Sequence, residues 1–297
     1  MVSTHPALRG YLDRLAAGYG PDYLHTDPIG EVRRFADPDD REVAAFLAAG
    51  LAFGRVALIL DTLRGLWTRL DHAPARTVDG WTARDARRLD GFVHRWVGGP
   101  DLALVLGALG RARRRHGSLR ELFLSGYDPE ERDLAGSLSR FVRALRAEVH
   151  VPGNRRPRTG DDLPLGARTF FADPAGGGAC KRLNLFLRWM VRPDDGIDLG
   201  LLSEVRTDQL VIPLDTHVSR LSRYLGLTRR RTVDWKMASE ITDRLRGLDA
   251  RDPVRYDFAL SRLGILEACP RRVDPACCAA CMLVPACTLG REHHERP

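Results

Sequence analysis

Apolar residues recur every three or four positions along most of the chain, and the elements this spacing predicts are helices. The stretches DREVAAFLAAGLAFGRVALILDTLRGLW (40–67), PDLALVLGALGRARRRH (100–116) and LAGSLSRFVRALRAEV (134–149) all carry the period. Strand-like alternation is absent. Residues 152–179 are rich in Gly, Pro and polar side chains and read as a long irregular connection, with a turn just before Cys180. KRLNLFLRWMVR (181–192) is apolar almost all round and stops at Pro193, the pattern of a buried helix. DTHVSRLSRYLGL (215–227) opens on Asp215 as an N-cap, places Val218, Leu221 and Leu225 along one face, and stops at Gly226. Another helix, around WKMASEITDRLRGL (235–248), leads through DPVRYDFALSRLGILEAC to the C-terminal segment. The expected fold class is all-α.

With 297 residues, 44% of them hydrophobic, the chain can bury a sizeable core and is long enough for two domains. The N-terminal segment interrupts its apolar positions with Arg9, Asp13 and Arg14, so it lacks the apolar core of a secretory signal. No apolar run reaches the length of a bilayer span. The expectation is a cytoplasmic, monomeric protein without a membrane partner. In that compartment clustered thiols bind metal more often than they pair.

A net charge of +7 and a pI near 9.4 point toward an anionic partner, with dense basic runs at 111–120, 154–158 and 228–231. Arginine runs are, however, often solvated helix faces. The choice of cation is more informative than its number. Of 46 lysines and arginines only Lys181 and Lys236 are lysine, and lysine is needed where a neutral primary amine must act.

Five of the six cysteines fall within CPRRVDPACCAACMLVPAC (269–287). Cys269, Cys278, Cys281 and Cys287 form C-x8-C-x2-C-x5-C, four thiolates for either a zinc ion or a [4Fe-4S] cluster. Cys277 could replace Cys278, although Cys278 gives the C-x2-C spacing. Spacing alone leaves zinc and cluster about equal.

GGGACKRLNLFLRWMVR, IPLDTHVSRL and DPVRYDFALSRLGI, followed by this cysteine loop, resemble a bacterial family related to the helix-hairpin-helix DNA glycosylases of the endonuclease III type. The specific motifs cover residues 176–287, and the N-terminal half matches only as a helical pattern. The resemblance implies a [4Fe-4S] loop and two helical lobes. The first lobe would hold residues 1–40 and 216–297 with the cysteine loop, and the inner lobe residues 41–215. It implies DNA as partner and base excision as activity, with Lys181 attacking the sugar C1′ to form a Schiff base and Asp215 assisting loss of the base. The residues agree in part: Lys181 follows a glycine-rich turn at the positive end of a helix, whereas an aspartate opening a helix is more often a plain cap.

By the same resemblance, backbone amides at Gly176, Gly177 and Gly178 grip phosphates, Arg271 and Arg272 add charge from the cluster loop, and Phe53 or Arg55 fills the gap left by an extruded nucleotide. His217 is read as structural, and Trp189 as core rather than a base-stacking surface. The turn departs from the family's LPGVG form, and the interval from Lys181 to Asp215 is longer than in most endonuclease III relatives. Archaeal 8-oxoguanine glycosylases share that interval and a lysine-led helix, which makes an oxidised purine the expected substrate. The alternative is a non-catalytic iron–sulfur protein binding RNA or single strands.

Overall fold

The computed structural model describes residues 7–150, 163–266, 268–269 and 274–290. The chain order is α1 (Leu8–Gly18), α2 (Pro28–Val32), α3 (Pro38–Gly50), α4 (Val56–Arg69) and α5 (Pro74–Asp79), then a hairpin of β1 (Val93–His94) and β2 (Val97–Gly98). Next come α6 (Gly99–His116), α7 (Leu119–Leu124), α8 (Ala135–Ala147), α9 (Leu165–Arg168) and α10 (Lys181–Val191). The last are α11 (Thr216–Tyr224), α12 (Trp235–Arg246), α13 (Asp257–Ile265) and α14 (Pro275–Ala279). The protein is therefore predominantly helical, as its periodicity predicts. No helix among the described residues is long and apolar enough to cross a membrane.

Three local features differ from the expectation. The periodic stretch 40–67 is two helices, because the chain breaks at 51–55, where Gly54 takes φ 110°. The connection before Cys180 contains the single-turn helix α9 and a 3-10 turn at Pro174–Gly176 in its described part. Two residues per strand suffice for β1 and β2, which pair antiparallel with His94 opposite Val97. Alternation that short is invisible in a periodicity scan.

α10 is the central helix. Leu183 through Val191 are all buried, and the helix packs chiefly on α3. Phe46 of α3 meets Phe186 edge-to-face at 5.5 Å and stacks with Phe170 at 6.3 Å. Gly50 ends α3 as glycine because a Cβ there would lie 2.2 Å from the Phe170 ring. Trp189 is completely buried, which makes it core, as read.

The centre of the molecule is also charged. Arg188 of α10 donates from Nε at 3.1 Å and Nη2 at 3.0 Å to Oδ1 of Asp198, and from Nη1 at 2.6 Å to Oδ2 of Asp257 on α13. Arg192 donates to the other oxygen of Asp198 and reaches Asp252 at 2.9 Å. The segment carrying Asp198 also satisfies the end of α10, with Leu199 N donating to the Trp189 carbonyl and Leu202 N to that of Met190, both at 2.7 Å. A second network joins Arg113 of α6 to Glu42 at 2.9 Å and Asp79 at 2.8 Å, while Glu42 also accepts the first amides of α7. Arg115 and Arg120 also pair with carboxylates, whereas Arg111 and Arg114 bond backbone carbonyls, so the basic run at 111–120 is only partly neutralised within the fold.

Breaking a buried ion pair from one side leaves an uncompensated charge. Asp198→Ala, which strands Arg188 and Arg192 together, should lower stability by about 3–5 kcal/mol in urea unfolding. A loss below about 1 kcal/mol would mean that water replaces the carboxylate.

Candidate functional site

A cleft of about 570 Å³ opens where the ends of several elements meet. Its wall includes Asp27, Ala52, Phe53, Gly178, Lys181, Arg182, Arg188, Asp215, His217, Asp257 and Arg262. The fold thus brings Lys181 and Asp215, distant in sequence, onto one cavity.

Local chemistry explains how Lys181 comes to stand there. Gly177 adopts φ 78° and Cys180 φ 45°, so the chain reverses sharply and launches α10 with Lys181 as its first residue. The turn is tied down on its far side by Trp235, whose N–H donates to the Gly177 carbonyl at 2.9 Å. Nζ of Lys181 donates to the Ala52 carbonyl at 2.9 Å and makes no carboxylate ion pair among the described residues. Lys236, the other lysine, is exposed on α12, outside this cavity.

Asp215 does cap α11: its Oδ1 accepts from the His217 and Val218 amides, each at 2.8 Å. It also faces the cleft, so capping fixes the carboxylate in place without removing it from the cavity. His217 packs against the backbone of Gly264, where a Cβ would lie 2.3 Å from Nδ1.

The carboxyl in the cleft with the clearest upward shift is Asp257. Asp257, the first residue of α13, is buried; burial pushes its carboxyl from the ordinary 3.8 up to about 6, against the pull of Arg188 and Lys181 and with the charge of Asp215 adding to the rise. Its Oδ1 has no hydrogen-bond partner among the described residues. Nearby, Asp27 caps α2 through the Ile29 amide and pairs with buried Arg262 at 2.8 Å. Three carboxylates therefore share the cavity with Lys181, Arg182, Arg188 and Arg262.

The expected phosphate-gripping turn is exposed, and a side chain at Gly176 or Gly178 would meet nothing within 4 Å. Space inside the fold does not call for glycine at either position. Phe53 lies in the cleft wall, and Arg55 is exposed at the start of α4 beside the wall residues Gly54 and Val56. Arg271 and Arg272 lie outside the described residues, as does the basic run at 154–158.

The cysteines line a separate, largely apolar cavity. Cys269, Cys277, Cys278, Cys281 and Cys287 surround it with Leu221, Tyr224, Leu225 and Leu263 of α11 and α13. Burial raises the Cys269 and Cys281 thiols, and the proximity of Cys278 and Cys287 raises both further, whereas Cys277 senses Asp274 and Cys278 only. Cys277 lines the same cavity as the four cysteines of the C-x8-C-x2-C-x5-C spacing. Among the described residues no three ligand-type side chains converge on a single point as they would around one ion.

A family model described as Protein of unknown function (DUF2400) matches residues 27–266, most of the chain. The chain belongs to that family. No curated protein and no solved structure gives a significant match. The DUF2400 region contains every cleft residue from Asp27 to Arg262 and stops short of the cysteine loop.

Because Asp257 holds its proton more tightly folded than unfolded, its contribution to stability is complete below 3.8 and is lost as pH rises through about 6. Relative to Asp257→Asn, the wild type should lose stability between about pH 4 and about pH 7 in urea unfolding at stepped pH. A difference constant across that range would show a carboxyl ionised throughout.

Proposed function

We propose that this DUF2400 protein is a DNA base-excision glycosylase with abasic-site lyase activity. The observation that carries the reading is the shared cleft: a lysine free of carboxylate pairing, a helix-capping aspartate and a buried carboxyl of raised pKa line one cavity of nucleotide-accommodating volume. In this reading Nζ of Lys181 attacks C1′ of an extruded nucleotide, the bond to the base breaks, and the carboxylate of Asp215 stabilises the cationic sugar. Asp257, with its proton exchangeable near neutrality, is suited to pass a proton within the cleft. The turn between α9 and α10 serves as the hairpin, offering backbone amides to phosphate at Gly176, Gly177 and Gly178. Helices outside 41–215 form the lobe that carries the cysteine loop. The proposed substrate base is an oxidised purine.

Four cysteines lining one apolar cavity match a [4Fe-4S] cluster in number and donor type. Cys269, Cys278, Cys281 and Cys287 would hold it, and it would supply a rigid clamp on the loop they belong to.

Borohydride reduction in the presence of duplexes bearing an abasic site or 8-oxoguanine should leave a covalent protein–DNA adduct, absent in Lys181→Gln. No adduct with any lesion would end the lyase reading. Asp215→Asn, whose amide oxygen still caps α11, should slow base release about 100-fold or more while leaving stability nearly unchanged. Purified protein should contain equal iron and acid-labile sulfide with broad visible absorption, both lost in Cys281→Ala. A colourless, zinc-loaded protein would replace the cluster with a single ion.

A further inference from the structure

The β1–β2 hairpin carries a feature that the cleft chemistry does not use. At its tip Trp96 is 44% exposed, yet its ring stacks on Phe53 with centroids 4.3 Å apart and planes 17° from parallel. Phe53 belongs to the cleft wall, so the two rings form a continuous aromatic surface running from the cavity to the outside. The surface is built to stay in place. Nε1 of Trp96 donates to Oγ1 of Thr169 at 3.0 Å. Buried His94, its pKa held down by burial, donates from Nε2 to the Phe53 carbonyl at 3.0 Å and meets the Thr62 hydroxyl through Nδ1 at the same distance.

The stack is edged with cations. Arg182 lies 5.3 Å over Phe53 and Arg95 lies 5.6 Å over Trp96. Neither these two nor Arg55 forms an ion pair with a carboxylate among the described residues, unlike Arg113, Arg115 and Arg120. Leu58 and Val93, 59% and 69% exposed, lie on the helix and strand fastened together by His94. A rigid aromatic face, half open to water, flanked by unpaired guanidinium groups and leading into a polar cavity, suits a partner that alternates flat rings with negative charges.

We propose that Trp96, backed by Phe53, is a stacking platform for an unpaired DNA base adjacent to the nucleotide held in the cleft, with Arg55 and Arg95 meeting the flanking phosphates. This deepens the reading of the cleft as a nucleotide site and names its substrate class as DNA with unpaired bases, either single-stranded or opened at a lesion. Every base offers a ring face, so the platform is tolerant of sequence and selective against intact duplex.

The test is binding, which requires no catalysis. Full-length protein is titrated with a labelled oligothymidine strand, with intact duplex and with duplex carrying an abasic site, reading anisotropy and intrinsic tryptophan fluorescence. The single strand and the abasic duplex should bind about 10-fold more tightly than intact duplex and quench fluorescence. Trp96→Ala should weaken binding to both about 10-fold and abolish the quenching, and Trp96→Phe should keep most of the affinity. Should Trp96→Ala fail to fold, Trp96→Leu, which keeps the bulk and removes the ring face, decides the matter. Unchanged affinity in the alanine or leucine variant, or preference for intact duplex, overturns the platform; tighter binding to the same strand as RNA overturns the assignment to DNA. Lys236→Gln, exposed on α12 and outside the cavity, should bind like the wild type. Failure of borohydride trapping with Trp96-dependent binding intact would remove the enzymatic reading and leave the platform standing; successful trapping with Trp96 indifferent would do the reverse.

Discussion

A guanidinium with almost no access to water sits at the middle of this molecule, and the placing of the cleft depends on how it is compensated. Removing Arg188 from solvent is costly unless its donors are satisfied by well-aligned carboxylates. Asp198 supplies two bonds from the segment after α10 and Asp257 supplies a third from α13. These contacts fix α10, the connection that follows it and α13 in one relative arrangement. Since α13 also packs on α11, the cap at Asp215 inherits its position from the same constraint. Lys181 lies seven residues before Arg188, two helical turns along the same face, so the clamp that holds the buried end of α10 also aims its first residue.

The donors of Arg188 are met, but one of its carboxylate partners is left half-satisfied. Asp257 contributes one oxygen to the guanidinium while the other has no partner among the described residues. Burial and the neighbouring Asp215 carboxylate both disfavour its charge, which is why its proton is held to about pH 6. A structural ion pair and a group able to exchange a proton near neutrality are thus two ends of a single side chain. Pairing alone would explain a saturated carboxylate, but it does not explain a buried oxygen left without a partner among the described residues.

How much of this could be read from sequence depended on whether a residue's role was local. Lys181 was legible because lysine is so rare here and because a glycine-rich turn precedes a wholly apolar helix. Asp215 was legible as a cap, and the fold adds that the cap borders the cavity. Asp257 was not, because an aspartate at the start of RYDFALSRLGI looks like any first-turn acid, and its partner is 69 residues away. The run at 111–120 divides: Arg114 and Arg115 stay exposed as on a solvated face, whereas buried Arg113 meets Glu42 and Asp79, which only the folded chain brings to it. Trp96 escaped notice since a hairpin with two residues per strand leaves no period to detect. The helices were legible because 3.6-residue periodicity survives over three turns or more; the break at 51–55, which puts Phe53 in the cleft wall and leaves Arg55 exposed, rests on a single glycine at positive φ.

The cysteine loop bears on the cleft through the helices it touches. Nη2 of Arg220 on α11 donates to the Cys269 carbonyl at 2.6 Å, Cys269 N donates to the Leu263 carbonyl on α13 at 2.9 Å, and Thr288 Oγ1 reaches the Tyr224 carbonyl at 3.0 Å. The thiol cavity is closed by Leu221, Leu225 and Leu263 of those same two helices. α11 begins just after Asp215 and α13 begins at Asp257, so one end of each helix borders the nucleotide-sized cavity and its other end or its flank supports the cysteines. A cofactor held by four thiolates would therefore lock the spacing between the two carboxylates without touching either of them. That geometry separates two supports of the cleft: the cysteine loop braces α11 and α13 from their flank, whereas the Arg188 clamp ties α13 to α10 from within.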